Sequence, residues 1–319
     1  MPNLLLDFER PLAELETKIE ELRSFGSEKG IDLSAEIQTL ENKATNLKKT
    51  IYDNLTPWQR VLIARHPERP TTLDYIKNLF EDFIELHGDR HFGDDPAVVG
   101  GIARFHGQPV TVIGQVKGKD TKENIARNFG YAHPEGNRKA LRLMEQAEKF
   151  GRPVFTFVDT PGAYCGIGAE ERGQAEAIAR NLFRMTTLRV PVIATVTSEG
   201  GSGGALALAV GDRVMMLENA IYSISTPETY ASILWKDTSR ASEAAADMKM
   251  TSGDLLSLKV IDEVIPEPLG GAHRDHREVF KILDKQLQKA FNALRKIPIE
   301  ILLENRYAKF RGIGHYISG

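Results

Sequence analysis

The chain carries one cysteine, Cys165, among 319 residues. A single thiol rules out an intrachain disulfide, and without a Cys-x-x-Cys pair the usual structural zinc site is ruled out as well. Basic charge is not in excess: 41 Lys and Arg face 44 Asp and Glu, a formal net charge of −3. Bulk electrostatics therefore do not draw the chain to nucleic acid or anionic lipid. No stretch approaches the roughly 20 apolar residues that cross a bilayer. The opening MPNLLLDFERPLAELE becomes charged by Asp7 and lacks the basic and long apolar regions of a secretory leader. Together these absences predict a cytoplasmic protein with no metal of its own and no membrane contact. What is present is 41% apolar residues, enough core for one large α/β domain or two smaller ones.

Apolar residues fall at Leu12, Leu15, Ile19 and Leu22, and again at Leu33, Ile37, Leu40, Ala44, Leu47 and Ile51. Spacings of three and four predict two amphipathic helices broken at SFGSEKG, a hairpin over 1–57 with a narrow seam suited to assembly. A different style begins at Trp58. AVVGGIARF (97–105) and PVTVIGQ (109–115), separated by HGQ, read as strand, tight turn and strand. Helical period follows over 134–150, then strands at 154–159, 192–196, 213–217 and 221–225, with helices over 170–188 and through ALALAV. This is the rhythm of repeated β-α units and a largely parallel sheet. The charged stretch 274–311 reads as helical, interrupted at Pro298.

Within SEGGSGGALAL, residues Gly200, Gly201, Ser202, Gly203 and Gly204 satisfy G-x-S-x-G. A nucleophilic Ser202 would need an acid and a histidine downstream. The downstream histidines, His273, His276 and His315, sit in no motif and read as surface residues. A dinucleotide fingerprint fails because Leu206 occupies the place of its third glycine, and GKD at 118–120 lacks the hydroxyl residue of a phosphate-binding loop. Two readings stay open. Glycines at the start of a helix, after a strand ending at Val196, leave N–H groups accessible as an oxyanion hole, or they permit close helix packing.

A second glycine loop, FVDTPGAYCGIGAEERG (157–173), ends another strand, with Asp159 followed by a turn at Pro161 and Gly162. Loops at the carboxyl ends of parallel strands converge where α/β sheets bind ligands. Glu170 and Glu171 read as caps of the next helix rather than catalysts. Lys117, Lys119, Lys122 and Arg127 lie close together and suit a solvated loop, a phosphate-bearing substrate or an acidic partner. Met248-Lys249-Met250 matches the tripeptide at which biotin is attached to carrier domains. The helix-forming SEAAAD before it argues against the hairpin on which those domains present their lysine.

EGGSGGALAL, DTPGAY, AEERGQ, RNFG, PEGNRKALRLM, ASILWK and PEPLGGAHR together resemble the α subunits of bacterial acetyl-CoA carboxylase carboxyltransferase, most closely from about Pro70 to Arg274. The resemblance implies a crotonase-like α/β fold over 58–319, a spiral of ββα units with C-terminal helices, which periodicity alone does not separate from a doubly wound sheet. It implies transfer of a carboxyl group from carboxybiotin, held on a biotin carboxyl carrier protein, to acetyl-CoA, giving malonyl-CoA for fatty acid synthesis. A β subunit would supply the acetyl-CoA side and a four-cysteine zinc ribbon in an α2β2 assembly, while a partner biotin carboxylase uses ATP. By resemblance, the N–H groups of Gly203 and Gly204 hold the biotin ureido oxygen, the freed biotin nitrogen takes the acetyl methyl proton, and no side chain need act as base. Gly200, Gly201 and Ser202, with Pro161, Gly162 and Ala163, would line the pocket. Nothing functional transfers to 237–253. Another crotonase-type acyl-CoA reaction, decarboxylation or hydration, and a non-catalytic scaffold are the competing readings.

Overall fold

The seam spacing near the N-terminus produces the expected hairpin in the computed structural model, which describes residues 5–314 and so leaves His315 outside the described residues. Helix α1 (Arg10–Lys29) and helix α2 (Ser34–Asp53) bury Leu12, Ile19 and Ala44 between them, with Leu15, Ile37, Leu40 and Leu47 alongside. α1 runs on through SFGSEK, where a break was expected. Its one internal glycine costs only about 1 kcal/mol and leaves the hydrogen-bond ladder intact. The helix stops at Gly30, whose left-handed φ of 66° lets its N–H close onto the Gly26 carbonyl.

Thr56 and Gln59 form a capping box that starts α3 (Pro57–Ala64), with Pro57 in the first turn, where its missing N–H costs nothing. On one side α3 joins the base of the hairpin, Ile63 packing with Leu6 and Tyr52. On the other, Val61 and Ala64 pack with Ile221, Ala245 and Met250.

After α4 (Thr72–Leu79) come β1 (Glu81–Glu85), β2 (Val98–Phe105) and β3 (Gln108–Gln115). β2 and β3 pair antiparallel from Val98 opposite Gln115 to Phe105 opposite Gln108. The two-residue turn between them puts both His106 and Gly107 at positive φ, 47° and 74°, as the twist of a tight hairpin requires. Next follow α5 (Thr121–Ala126), α6 (Pro134–Lys149), β4 (Val154–Thr160), α7 (Ile167–Glu171), α8 (Gln174–Thr187), β5 (Val192–Gly201) and α9 (Ser202–Ala209). The helix expected over 170–188 is thus two, divided at Gly173 with φ 80°. β6 (Arg213–Leu217), β7 (Ile221–Ser223), α10 (Pro227–Trp235), α11 (Ala241–Asp247), α12 (Ser252–Ser257), β8 (Glu263–Ile265), α13 (His276–Leu294) and α14 (Ile299–Arg311) complete the order.

The main sheet runs β1-β2-β3-β4-β5-β6-β8. Its first two pairings are antiparallel and the rest parallel. β5 does two jobs. Its first half lies between β4 and β6, and its last residues pair with β7, off the main path. β4 and β5 are buried along their whole length, which is why both open on largely apolar runs, VFTFV and VIATV. Phe105, Phe155 and Phe291 tie β2, β4 and α13 into one core, with ring centroids 4.9 and 5.7 Å apart along that chain. The C-terminal α14 is anchored by Arg306, 1% exposed, which pairs with Asp212 and donates to the carbonyls of Met185, Leu188 and Val190.

Candidate active site at a strand-to-helix turn

β5 continues five residues beyond the expected end at Val196. Gly200 and Gly201 have poor strand propensity, but Tyr222 and Ser223 of β7 pair with them and Thr160 of β4 lies opposite Gly200. Tertiary pairing overrides propensity here. α9 therefore starts at Ser202, and Gly203 and Gly204 lie in its first turn. The N-cap position falls to Gly201, which has no side chain to offer, and no side chain caps this helix. The first-turn N–H groups of Ser202, Gly203 and Gly204 keep neither an intrahelical partner nor a side-chain one.

The glycines are not equivalent. A Cβ on Gly201 would sit 2.0 Å from the Pro161 carbonyl oxygen, and one on Gly204 would sit 2.5 Å from the Gly162 carbonyl carbon and 2.6 Å from the Ala163 nitrogen. On Gly200 it would meet the Tyr222 ring at 2.8 Å. Gly201 and Gly204 let the β4 and β5 loops press backbone to backbone, which is the close-packing reading, while Gly200 makes room for the Tyr222 ring of β7. Gly203 differs: its nearest neighbour would be Ile178 at 3.8 Å. It borders a pocket of about 640 Å³ lined by Ser202, Leu206, Tyr222, Tyr230 and Lys249 among others, with no carboxylate in the lining. Gly204 lies behind it and does not line that pocket. All eight residues expected at the site, 161–163 and 200–204, thus meet around one turn.

Ser202 has φ 52°, a left-handed conformation rare outside glycine and typical of a strained strand-to-helix elbow. Among the described residues no triad accompanies it. His276 Nε2 lies 2.7 Å from the Glu68 carbonyl oxygen. His273 is not the surface residue expected; it is 6% exposed, stacked on His66 at 4.2 Å, and its Nε2 is 3.8 Å from Glu9.

On the other side of the turn lies a charged cavity of about 430 Å³, bordered by Arg65, Lys117, Asp159, Pro161 and Glu199. Lys117 Nζ donates to Asp159 Oδ1 at 2.9 Å and to Glu199. Arg65 Nε donates to the other Glu199 oxygen at 2.7 Å, and the same guanidinium reaches Glu228 at 2.6 Å. Burial alone would raise the Glu199 pKa, but Lys117 and Arg65 outweigh it and hold the carboxyl at about 2. Burial would likewise strip the proton from Lys117, yet Asp159 and Glu199 move its pKa upward.

These contacts revise the reading of the basic run. Lys117 is ion-paired inside the protein and Arg127 donates to the Pro96 carbonyl at 2.7 Å, while Lys119, paired with Asp74 at 2.6 Å, and Lys122 stay exposed as the solvated part of the run. Arg65 and Glu199 escaped sequence reasoning altogether. The available signal was a lone acid in a strand that is buried throughout, immediately before paired glycines. Glu170 lies in the first turn of the short α7 and Glu171 ends it, so neither caps α8, whose N-cap is Gly173. Lys249 follows α11 at φ 50° and is exposed on the pocket wall, not on a β-hairpin.

A family model described as acetyl co-enzyme A carboxylase carboxyltransferase-like matches residues 5–314. Two relatives carry the name acetyl-coenzyme A carboxylase carboxyl transferase subunit alpha. That of Carboxydothermus hydrogenoformans is 60% identical over 314 residues, covering 98% of this chain and 97% of the relative. That of Heliobacterium modesticaldum is 62% identical over 311 residues, covering 98% and 93%. The chain belongs to this carboxyltransferase α-subunit family. It is a transferase subunit, and the hydratase, decarboxylase and scaffold readings give way. Among solved structures, the transcarboxylase 12S hexameric core matches with TM-score 0.59 at 18% identity, covering 72% of this chain and 42% of that one. A Pseudomonas malonate decarboxylase hetero-tetramer in complex with coenzyme A matches with TM-score 0.56 at 18% identity, covering 68% and 86%. At such identity the likeness bears on fold alone, and the fold is crotonase-like α/β. Among the described residues no group of three or more His, Cys, Asp and Glu is placed to hold a metal ion. No described helix is long and apolar enough to cross a membrane.

Proposed function

We propose that this chain and a β subunit share one active site, in which a carboxyl group passes from carboxybiotin on a carrier protein to acetyl-CoA and yields malonyl-CoA. The observation that carries this reading is the open face of Gly203 in the uncapped first turn of α9, bordering a largely apolar pocket without carboxylates. An uncharged bicyclic ring fits such a lining, and negative charge developing on its ureido oxygen meets donors there instead of acids.

The Gly203 N–H, at the border of the pocket, serves as the first donor to that oxygen, and the Gly204 N–H is the second donor of the same turn, one residue deeper. Losing one such donor costs about 2.7–4 kcal/mol of transition-state stabilisation. When bound, biotin supplies the nitrogen that accepts the acetyl methyl proton, so this chain's side chains have no base to provide. Ser202 serves as a small turn residue. Gly200, Gly201, Pro161, Gly162 and Ala163 hold the two loops together behind the donors.

The β subunit brings the acetyl-CoA side and a zinc ribbon, the assembly is α2β2, and a biotin carboxylase spends ATP to recharge the carrier. The hairpin of residues 1–57 serves assembly, 58–319 form the transferase domain, and the protein works in the cytoplasm. The test is malonyl-CoA-dependent carboxylation of a free biotin analogue, run with this chain alone and then with its β subunit. Activity in the mixture only is expected. Activity of the chain alone would overturn the shared site.

A further inference from the structure

We propose that Lys117 is a positioning residue for carboxyl transfer: it clamps the carboxyl ends of β4 and β5, and through them sets the orientation of the α9 first-turn donors. This rests on the shared-site reading above. Three neighbouring parallel strands contribute. Lys117 follows β3 by two residues, Asp159 is the next-to-last residue of β4, and Glu199 lies in the last turn-ward stretch of β5. The ammonium bridges the two carboxylates, which are only 4% and 7% exposed.

Two residues beyond Asp159 is Pro161, and two beyond Glu199 is Gly201, the pair whose backbones approach so closely that a Cβ on Gly201 would meet the Pro161 oxygen at 2.0 Å. The clamp therefore lies directly behind the contact that carries the donors. It is braced from outside as well. Arg65, the C-cap residue of α3, holds the second Glu199 oxygen and reaches Glu228 in the first turn of α10. The Lys117 stem packs under Gly130, whose φ of 81° and lack of Cβ make room for it, while Thr160 Oγ1 lies 2.6 Å from the Gly130 carbonyl oxygen.

Stability is a poor reason for such a cluster, because a buried ionic group loses much of its Coulomb gain to desolvation and apolar replacements are often tolerated. Placement is a better one, since misplacing a catalytic donor by about 1 Å can cost on the order of 100-fold in rate.

The test compares Lys117→Met, Lys117→Arg and the charge-balanced pair Lys117→Met/Asp159→Asn, which leaves Glu199 with Arg65. With the β subunit present, Lys117→Met and the balanced pair are expected to lower kcat of the reverse reaction about 30-fold or more, with KM for malonyl-CoA within about threefold. Lys117→Arg, which keeps a cationic donor, should recover about tenfold of that loss. In the chain alone, exchange of the amides at 206–208, which donate to the carbonyls of 202–204, should accelerate about tenfold in the balanced pair while α13 amides stay unchanged. Should Lys117→Met fail to fold, the balanced pair decides. A kcat within about threefold of the parent, a rise in KM alone, or unchanged exchange at 206–208 would each overturn the clamp. If the parent itself transfers nothing with its β subunit, the shared-site reading fails, and the exchange measurement on the chain alone still decides whether Lys117 sets the turn.

Discussion

The hairpin of α1 and α2 buries side chains against side chains, whereas the turn from β5 into α9 presses backbone against backbone. In the hairpin, Leu12, Ile19 and Ala44 meet across a seam, and a lost methyl group leaves a cavity that neighbours can partly close. At the turn the contact is Gly201 on Pro161 and Gly204 on Gly162, with no side chain to yield. One region is built to tolerate exchange and the other to forbid it. The difference teaches how to separate glycines kept for packing from the glycine kept for chemistry, and Gly203 is the one the packing does not require.

The largest effect is expected at Gly204. Gly204→Val drives a Cβ into the Gly162–Ala163 backbone at 2.5 Å, so both stability and transfer should fall, stability by about 3 kcal/mol as for severe overpacking. Thermal unfolding and the reverse transfer assay together check it, and a normal Tm would mean the two loops separate more easily than their contact suggests. Gly203→Val is next and sharpens the comparison. With its nearest neighbour, Ile178, at 3.8 Å, the side chain meets no backbone and crowds the first turn at the border of the pocket without forcing the loops apart. Tm should stay near the parent's while kcat drops about 100-fold or more; full transfer by this variant would sink the donor assignment.

Leu12→Ala breaks the other side of the comparison. Leu12 is 1% exposed in the hairpin seam, so about 2–3 kcal/mol should be lost there. Assembled complexes should still transfer at the parent rate per site. A slower rate per assembled site would tie the hairpin to the chemistry and not to assembly alone.

Acid titrates both regions through carboxyls held low. Burial opposes the shift of Glu9, but His273, Tyr52 and Arg274 bring it to about 2, and Glu199 is likewise at about 2. A carboxyl depressed in the folded state contributes stability that is complete above its unfolded pKa of about 4.3 and is lost as pH falls through the folded value. Stability should therefore decline between about pH 4.5 and 2. Glu9→Gln should flatten the part of that decline that reports on the hairpin base, where Tyr52 donates to Glu9 at 2.6 Å, while amide exchange at 199–204 keeps its acid dependence. Equal flattening at both places would mean that hairpin and turn unfold as one unit.

The two regions also differed in how much of them was legible. Three-and-four spacing located the hairpin because its seam is local, and only the continuation of α1 through Gly26 to Gly30 escaped, since a single glycine weakens a helix without ending it. The strand hairpin of β2 and β3 and the buried strands β4 and β5 were legible from β-branched runs for the same reason. The extent of β5 was not: Gly200 and Gly201 are strand because β7, some 20 residues later in the chain, pairs with both and Thr160 of β4 lies opposite Gly200. The site's eight expected residues came from motif and resemblance, and they do converge. The Lys117, Asp159, Glu199 and Arg65 network did not emerge, because its members come from four separate elements and no spacing along the chain brings them together.

The smallest effect concerns backbone strain, where hairpin and pocket again part ways. Among the described residues of the hairpin the left-handed position is held by Gly30, at no steric cost; the pocket puts Ser202 and Lys249 there, at φ 52° and 50°. Lys249→Gly should relieve about 1 kcal/mol of that strain, less the entropy glycine adds to the unfolded chain, for a gain in Tm of about 2 °C at most. Transfer should stay within about threefold, and a biotin-affinity blot of the parent should show no label, because Lys249 follows a helix and not a hairpin strand. A loss of transfer comparable to that of Gly203→Val would instead make Lys249, the cation on a wall without carboxylates, a direct contact of the reacting group.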